Sequence, residues 1–310
     1  MRRARHLGWV TLLVAAALVL TASPASADLE EYLEEAEEAD YTGRRLVVTF
    51  WADGSEVGVF DVTHAGDMTM IEGGQTANVS DGRVTGGQDR DAVVLQGWSR
   101  SSLTDRYTTA APEAVTRLGR AAESVDVLED GLVRARIVFD LDTRVPLLTE
   151  IFDGEGELFR YSAMIDFDPN PSLRYADLVP AAGEYDVMLP AESATMPSTA
   201  AGYVRADTYG GPDTTVQTFY TDGLFKFSIF EIAGDASPER FEAAGVLEVN
   251  EATYLQLVTP SELWVMWSAA GSTYVLVGDL PPDHLALVLA ELPQPDGDGL
   301  FNRIWHGIFG

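Results

Sequence analysis

The side chains able to carry out acid–base, nucleophilic or metal chemistry in this chain are few and widely spaced. Its 310 residues include no cysteine and four histidines, which removes thiol nucleophiles, disulfides and cysteine-bound metals. His64, His284 and His306 fall singly in a strand-like, a helix-like and a terminal segment, without the HExxH or comparable spacing a zinc site needs. There is no Gly-x-Ser-x-Gly elbow and no Walker-type loop. Gly73-Gly74 and Gly86-Gly87 occur in polar sequence without the strand-to-helix setting of a phosphate cradle. Asp166, Asp168 and Asn170 alternate in "DFDPNP" as in a calcium loop, but the following glycine and the distal glutamate are missing, so they read as solvated strand-end residues. With 49 Asp and Glu in all, two neighbouring carboxylates carry no glycosidase signal. The only lysine, Lys226, lies in "FYTDGLFKFSIFEIAG". Alternation sends Phe225, Phe227 and Ile229 to one face and Lys226 with Ser228 to the other. That predicts a solvated ammonium on an apolar stem rather than a catalytic amine. The reading is a non-enzymatic protein without cofactor or metal.

The chain opens "MRRARHLGWVTLLVAAALVLTASPASA": arginines, an apolar run from Trp9 to Leu20, then Ala25-Ser26-Ala27. This layout predicts a secretory signal peptide over residues 1–27, cleaved near Ala27, since the run falls short of the roughly 20 residues that cross a bilayer. An uncleaved anchor is the competing reading. Residues 1–27 hold three arginines and no acid, so the formal net charge of −29 becomes −32 without them. Such a surface repels nucleic acid and disfavours anionic lipid, and it favours basic partners. With no cysteine to bridge, the exported chain must fold by burial alone.

The elements between these residues are mainly strands. "DLEEYLEEAEEADYTG" puts Leu29, Tyr32, Leu33 and Ala36 at helical spacing, with Thr42-Gly43 as the stop. Alternating strands follow, punctuated by Asp-Gly at 53–54, 81–82, 130–131, 153–154 and 222–223. "LVRARIVFDLD" predicts a dry face of Val133, Ala135, Ile137, Phe139 and Leu141. The opposite face, with Leu132, Arg134, Arg136, Val138 and Asp140, is expected to be mostly wet. "APEAVTRLGRAAESV" reads as a helix with Val115, Leu118 and Ala122 on one side. "PPDHLALVLAELP" reads as another, with Asp283 as N-cap and Leu285, Val288, Leu289 and Leu292 buried. Beyond it, Leu300, Phe301, Ile304, Trp305, Ile308 and Phe309 form an apolar stripe at helical spacing. Such a tail can dock on the protein, bind a partner or make a peripheral membrane contact.

Several of these stretches resemble the RseB/MucB family. "FYTDGLFKFSIFE" is similar to its Tyr-Ser-Asp-Gly-Leu segment, with Thr221 in place of the usual serine. "STYVLVGDLPPDHLALVLAELP" is similar to its closing strand, turn and final helix. "FDLDTRVPLLTEIFDGEGELFRYSAMIDF" and "YTGRRLVVTFWADG…VFDVTHAGDMTMIEG" fit earlier strands in the same order. The resemblance implies an α+β fold: an antiparallel LolA-like half-barrel with helices over its mouth (28–175), a linker (176–200) and a smaller sheet-plus-helix C-terminal domain (201–293). The tail, 294–310, lies outside it. The implied function is an exported, periplasmic or membrane-surface regulator in envelope-stress signalling. It would bind the extracytoplasmic domain of a membrane anti-sigma factor, shield it from proteolysis and be released by a lipid-like signal. A lipid or lipoprotein carrier is the alternative, and an envelope hydrolase a weaker third. Candidate walls of a ligand cavity are Phe50, Trp51, Phe60, Trp98, Phe139, Phe152 and Phe159.

Overall fold

The computed structural model describes residues 29–51, 54–66, 68–80, 83–89, 93–96, 105–173, 189–191, 195–211, 215–234 and 245–296. The leader, Trp98, residues 174–188 and the tail beyond Asp296 lie outside these. Helix α1 (Leu29–Glu37) leads into strands β1 (Tyr41–Trp51), β2 (Gly54–Ala65), β3 (Met68–Ser80), β4 (Arg83–Asp89), β5 (Val93–Gln96), β6 (Tyr107–Thr109), β7 (Glu113–Arg117), β8 (Arg120–Glu129), β9 (Leu132–Asp140), β10 (Pro146–Phe152) and β11 (Leu158–Asp168). They form one open antiparallel sheet in the order β4-β3-β2-β1-β11-β10-β9-β8-β6, with β5 on β3 and β7 on β8. The second sheet holds β12 (Leu189–Pro190), β13 (Thr199–Ala200), β14 (Tyr203–Gly210), β15 (Val216–Thr221), β16 (Lys226–Ala233), β17 (Gly245–Val249), β18 (Ala252–Val258), β19 (Leu263–Ala269) and β20 (Ser272–Gly278). Its order is β12-β14-β15-β16-β20-β19-β18-β17, and α2 (Pro282–Glu291) follows β20. This is the α+β, sheet-dominated fold the alternation predicts. Within the span read as a linker, β12 and β13 pair with β14, and Met196 is buried.

The two sheets share one hydrophobic core. Val125, Val127, Ala135, Ile137, Phe139, Ile151 and Phe159 of the first meet Tyr203, Tyr220, Phe227, Ile229, Val265, Trp267 and Leu276 of the second. The buried stripe of α2, Leu285, Val288 and Leu289, closes the same cluster. Helix α1 adds Leu29, and Tyr32 sets its ring edge-on to Phe139 at 5.1 Å. A smaller cluster of Tyr41, Val62, Val145, Leu147 and Met164 lies at the other end of the first sheet, where His64 stacks on Tyr41.

Several local expectations change. Thr42-Gly43 does not stop α1, which ends at Glu37. Gly43 sits inside β1 beside a bulge, where a Cβ would come within 2.5 Å of the Asp166 carbonyl. The second face of β9 is not wet, because Arg134, Val138 and Asp140 are buried. Burial alone would raise the Asp140 carboxyl, yet Arg120 and Thr143 hold it below its ordinary range. Among the described residues, Asp166 and Asp168 accept the backbone N–H groups one and two residues on, from Phe167 and Asn170.

The largest change is "APEAVTRLGRAAESV", which is not a helix but the β7–β8 hairpin, with Arg117 opposite Arg120. Leu118 and Gly119 form its two-residue turn with φ of 51° and 74°, both in the left-handed region that a type I′ connection needs. The same geometry recurs at Asp130-Gly131, Ala201-Gly202 and Ala270-Gly271. Leucine is strained at this φ where asparagine is tolerated. Leu118→Asn is therefore expected to stabilise the protein by about 1 kcal/mol in urea unfolding. A helix there would instead be weakened by it.

Candidate functional site

The densest cluster of charged and hydrogen-bonding side chains is the junction of the two sheets, built around the β8–β9 turn. Glu129 ends β8 with its side chain 15 % exposed and receives three cationic or imidazole groups. Arg106 Nε lies 2.8 Å from Oε1, while Arg134 Nε at 2.9 Å and His284 Nε2 at 3.0 Å share Oε2. Arg134 is 2 % exposed and also donates from Nη2 to Asp283 Oδ2 at 2.9 Å. Asp283 is therefore not the N-cap: Pro281 holds that position, without a side-chain cap, and Asp283 sits in the first turn of α2. There its charge suits the helix dipole as well as Arg134. Gly154, in the β10–β11 turn, leaves it room, since a Cβ at 154 would lie 2.8 Å from Asp283 Oδ2.

The network continues into the "YTDG" turn. Tyr107 donates to Asp222 Oδ2 at 2.6 Å, Arg106 Nη1 lies 3.4 Å from the same oxygen, and Arg106 Nη2 donates to the Ala201 carbonyl. Asp222 Oδ1 meanwhile accepts the Leu224 and Phe225 amides, closing its own turn. Burial first, then the Asp222 charge, pushes the Tyr107 phenol well above its ordinary range. The Tyr203 hydroxyl and His284 Nδ1 are 2.6 Å apart. Tyr203, His284 and Glu129 thus have the order of a nucleophile, a base and an orienting acid. Tyr203 is wholly enclosed, however, and burial holds its phenol far above the range in which it ionises. The chain of bonds joins the two sheets.

A second polar contact lies beside β1. Arg160 Nε donates to Thr49 Oγ1 at 3.0 Å, and Thr49 Oγ1 donates to the Pro260 carbonyl at 2.8 Å. Gly58 admits the Pro260 ring, which would stand 3.0 Å from a Cβ. Lys226 belongs to this contact and is half-buried, not solvated. Burial lowers its ammonium pKa, opposed by the Asp279 and Glu262 charges. Asp279 Oδ1 accepts the Lys226 amide at 2.8 Å, and burial raises its carboxyl. Alternation along β16 holds, with Phe225, Phe227 and Ile229 buried, but the opposite face is not solvated at Lys226, which is half-buried with the Asp279 and Glu262 charges near it.

Of the aromatic candidates, Phe139 and Phe159 are core residues. Trp51 packs on that core, with its ring 5.6 Å from Phe159. Phe60 and Phe152 are half-buried, and Phe50 is exposed. An open depression of about 510 Å³ lies elsewhere, between the end of α1 and the β9–β10 turn, lined by Glu35, Glu38, Asp40, Asp142 and Arg144.

Breaking a buried ion pair by removing one partner costs roughly 3 to 5 kcal/mol, so Glu129→Gln is expected to lower the unfolding free energy by about that amount. Arg44→Ala is the control. Its contact with Asp61 joins side chains 57 % and 65 % exposed and is worth at most about 1 kcal/mol. Burial, then Arg134, lowers the His284 pKa below its ordinary 6.5. The unfolded chain then binds the extra proton, so stability should fall as the pH drops through 6.5 toward the folded value. His284→Gln should flatten the slope of urea unfolding free energy against pH between about 7 and 5.

No protein-family model and no curated protein matches the chain. Solved structures do. A crystal structure of MucB aligns with a TM-score of 0.50 at 18% identity, covering 87% of this chain and 99% of that one. The Pseudomonas aeruginosa MucA/MucB complex aligns with a TM-score of 0.45 at 16% identity, covering 88% and 100%. MucB in complex with MucA(peri) aligns with a TM-score of 0.45 at 15% identity, again over 88% and 100%. At 18% identity the likeness to MucB is one of fold.

Proposed function

We propose that this chain is an exported, non-enzymatic regulator that binds the extracytoplasmic segment of a membrane anti-sigma factor. In this reading residues 28–175 and 201–293 are two domains, and the protein works outside the cytoplasmic membrane after loss of residues 1–27. It shields the anti-sigma factor from proteolysis, and a lipid-like signal releases it. The observation that carries the proposal is the likeness of fold to MucB over 87% of the chain, which is an analogy at the level of fold. The excess of 49 acids over 20 bases supports it, because that surface steers a basic or amphipathic segment toward the protein. Release follows from linkage: a ligand that prefers the unbound arrangement weakens partner binding by its differential affinity.

The test is affinity capture of the protein from detergent-solubilised envelopes of its own organism, with partners identified by mass spectrometry and lipid assayed in the same eluate. Recovery of a single-span protein with a cytoplasmic sigma-binding domain is expected, with capture weakening as salt rises. Lipid or lipoprotein without that partner would assign the chain to a carrier. Neither would overturn both readings.

A further inference from the structure

The β7–β8 hairpin stands at one end of the first sheet and leaves a strand available there. Among the described residues β7 pairs with β8 alone, from Glu113 opposite Ser124 to Arg117 opposite Arg120, without a register shift. Glu113, Ala114, Val115 and Thr116 are four consecutive exposed residues, so β7 meets water on both faces. An uncovered edge strand is a template for another strand, and proteins blunt such edges with lysine, proline or a bulge. β7 has none of the three. It carries Val115 instead, 37 % exposed, and leads into Leu118, 41 % exposed at its strained turn.

The turn fixes which backbone groups are free. A two-residue connection makes its flanking residues, Arg117 and Arg120, a hydrogen-bonded pair. Alternation then turns the N–H and C=O of Arg117, Val115 and Glu113 toward β8, and those of Ala114 and Thr116 away from it. The strand reads Glu-Ala-Val-Thr-Arg. Laid antiparallel on a second copy with Val115 opposite Val115, it sets Ala114 opposite Thr116 and Glu113 opposite Arg117. Each Ala114–Thr116 pair exchanges both of its outward bonds, and the Val115 pair is of the close, non-hydrogen-bonded kind, with Cα atoms about 4.5 Å apart. At each end an acid faces a base on the same side of the sheet as Val115. Arg117 has donors to give: its Nε is buried without a hydrogen-bond partner, and its Nη2 bond to the Tyr161 hydroxyl is long, at 3.4 Å. A two-fold interface needs a patch complementary to itself, and this order of residues supplies one. The formal charge of −29 on each copy opposes association at long range, where salt screens it, while β7 itself is neutral.

We propose that β7 is a self-association edge, through which two copies of this chain join their first sheets across a two-fold axis at Val115. The proposal does not rest on the proposed regulatory function.

The experiment is sedimentation velocity of the full chain at about 0.15 M salt, over a concentration series up to its solubility limit. A shift from monomer to dimer is expected as concentration rises. Thr116→Pro removes an outward N–H and leaves the β8 ladder intact, so it should keep the chain monomeric with its urea unfolding midpoint little changed. Glu113→Lys and Arg117→Glu each set like charges opposite one another, and each should raise the dissociation constant about tenfold. An equimolar mixture of the two should dimerise again, because each variant supplies the charge the other lacks. A chain that stays monomeric throughout the series overturns the proposal, and so does a dimer that neither Thr116→Pro nor the charge variants weaken. A dimer weakened by both charge variants and not regained on mixing them would overturn the two-fold pairing about Val115.

Discussion

Glu129 is where the relation between the two sheets is decided. Its carboxylate stands at the turn from β8 to β9, largely out of water, with nitrogens of Arg106, Arg134 and His284 2.8 to 3.0 Å away. The Nη2 branch of Arg134 reaches Asp283 in the first turn of α2. One acid of the first sheet and one of the helix therefore clamp the same guanidinium. The direction of α2, and with it the second sheet, is fixed against the first. Such charge clusters add little net stability compared with apolar side chains of the same size, because desolvation offsets attraction. Their effect here is orientation, while adhesion comes from the shared core.

That division of labour explains the rest of the junction. Tyr107 of the first sheet meets Phe225 of the second edge-on, Tyr203 and Phe227 pack edge-on within the second, and the polar ends of Tyr107 and Tyr203 enter the network. At the other contact, Thr49 bridges Arg160 to the Pro260 carbonyl, and glycine at 58 lets that loop approach. Small or short residues stand where backbones come close, and long charged ones where a gap must be crossed. The junction is thus apolar in the middle and polar at two places, the anatomy of a docked interface rather than of a single continuous sandwich.

Much of this was legible in the sequence where period and turn chemistry act locally. The alternation of Phe225, Phe227 and Ile229, the stripe of Leu285, Val288 and Leu289, and Asp130-Gly131 as a hairpin turn all follow from residue type at short range. Leu118-Gly119 was not legible, because a leucine at positive φ hides a hairpin inside a run of good helix formers. Asp283 and Lys226 failed for another reason. Each has a local role that sequence reasoning assigns correctly on its own terms, a helix-start acid and a polar-face lysine. Their actual partners come from 149 residues away for Asp283 and from Asp279, 53 residues on, for Lys226. Asp222 is the instructive middle case: its turn is visible as Asp-Gly, and only its second oxygen, bonded to Tyr107, carries the inter-sheet role. The aromatic candidates show the same limit, since alternation gives Phe50 and Trp51 opposite faces without saying which one looks inward.

An interface held in this way responds unevenly to what binds near it. Apolar area can be regained by any hydrophobic ligand of similar shape, so the central patch discriminates weakly among occupants. The charged contacts do not exchange so freely. A ligand that parted Glu129 from Arg134 and His284 would have to supply an acceptor at the same place or leave a buried guanidinium and imidazole without their partner. Separation of the sheets is therefore opposed most strongly at the β8–β9 turn, and less where Arg160, Lys226, Asp279 and Glu262 interact mainly through charge.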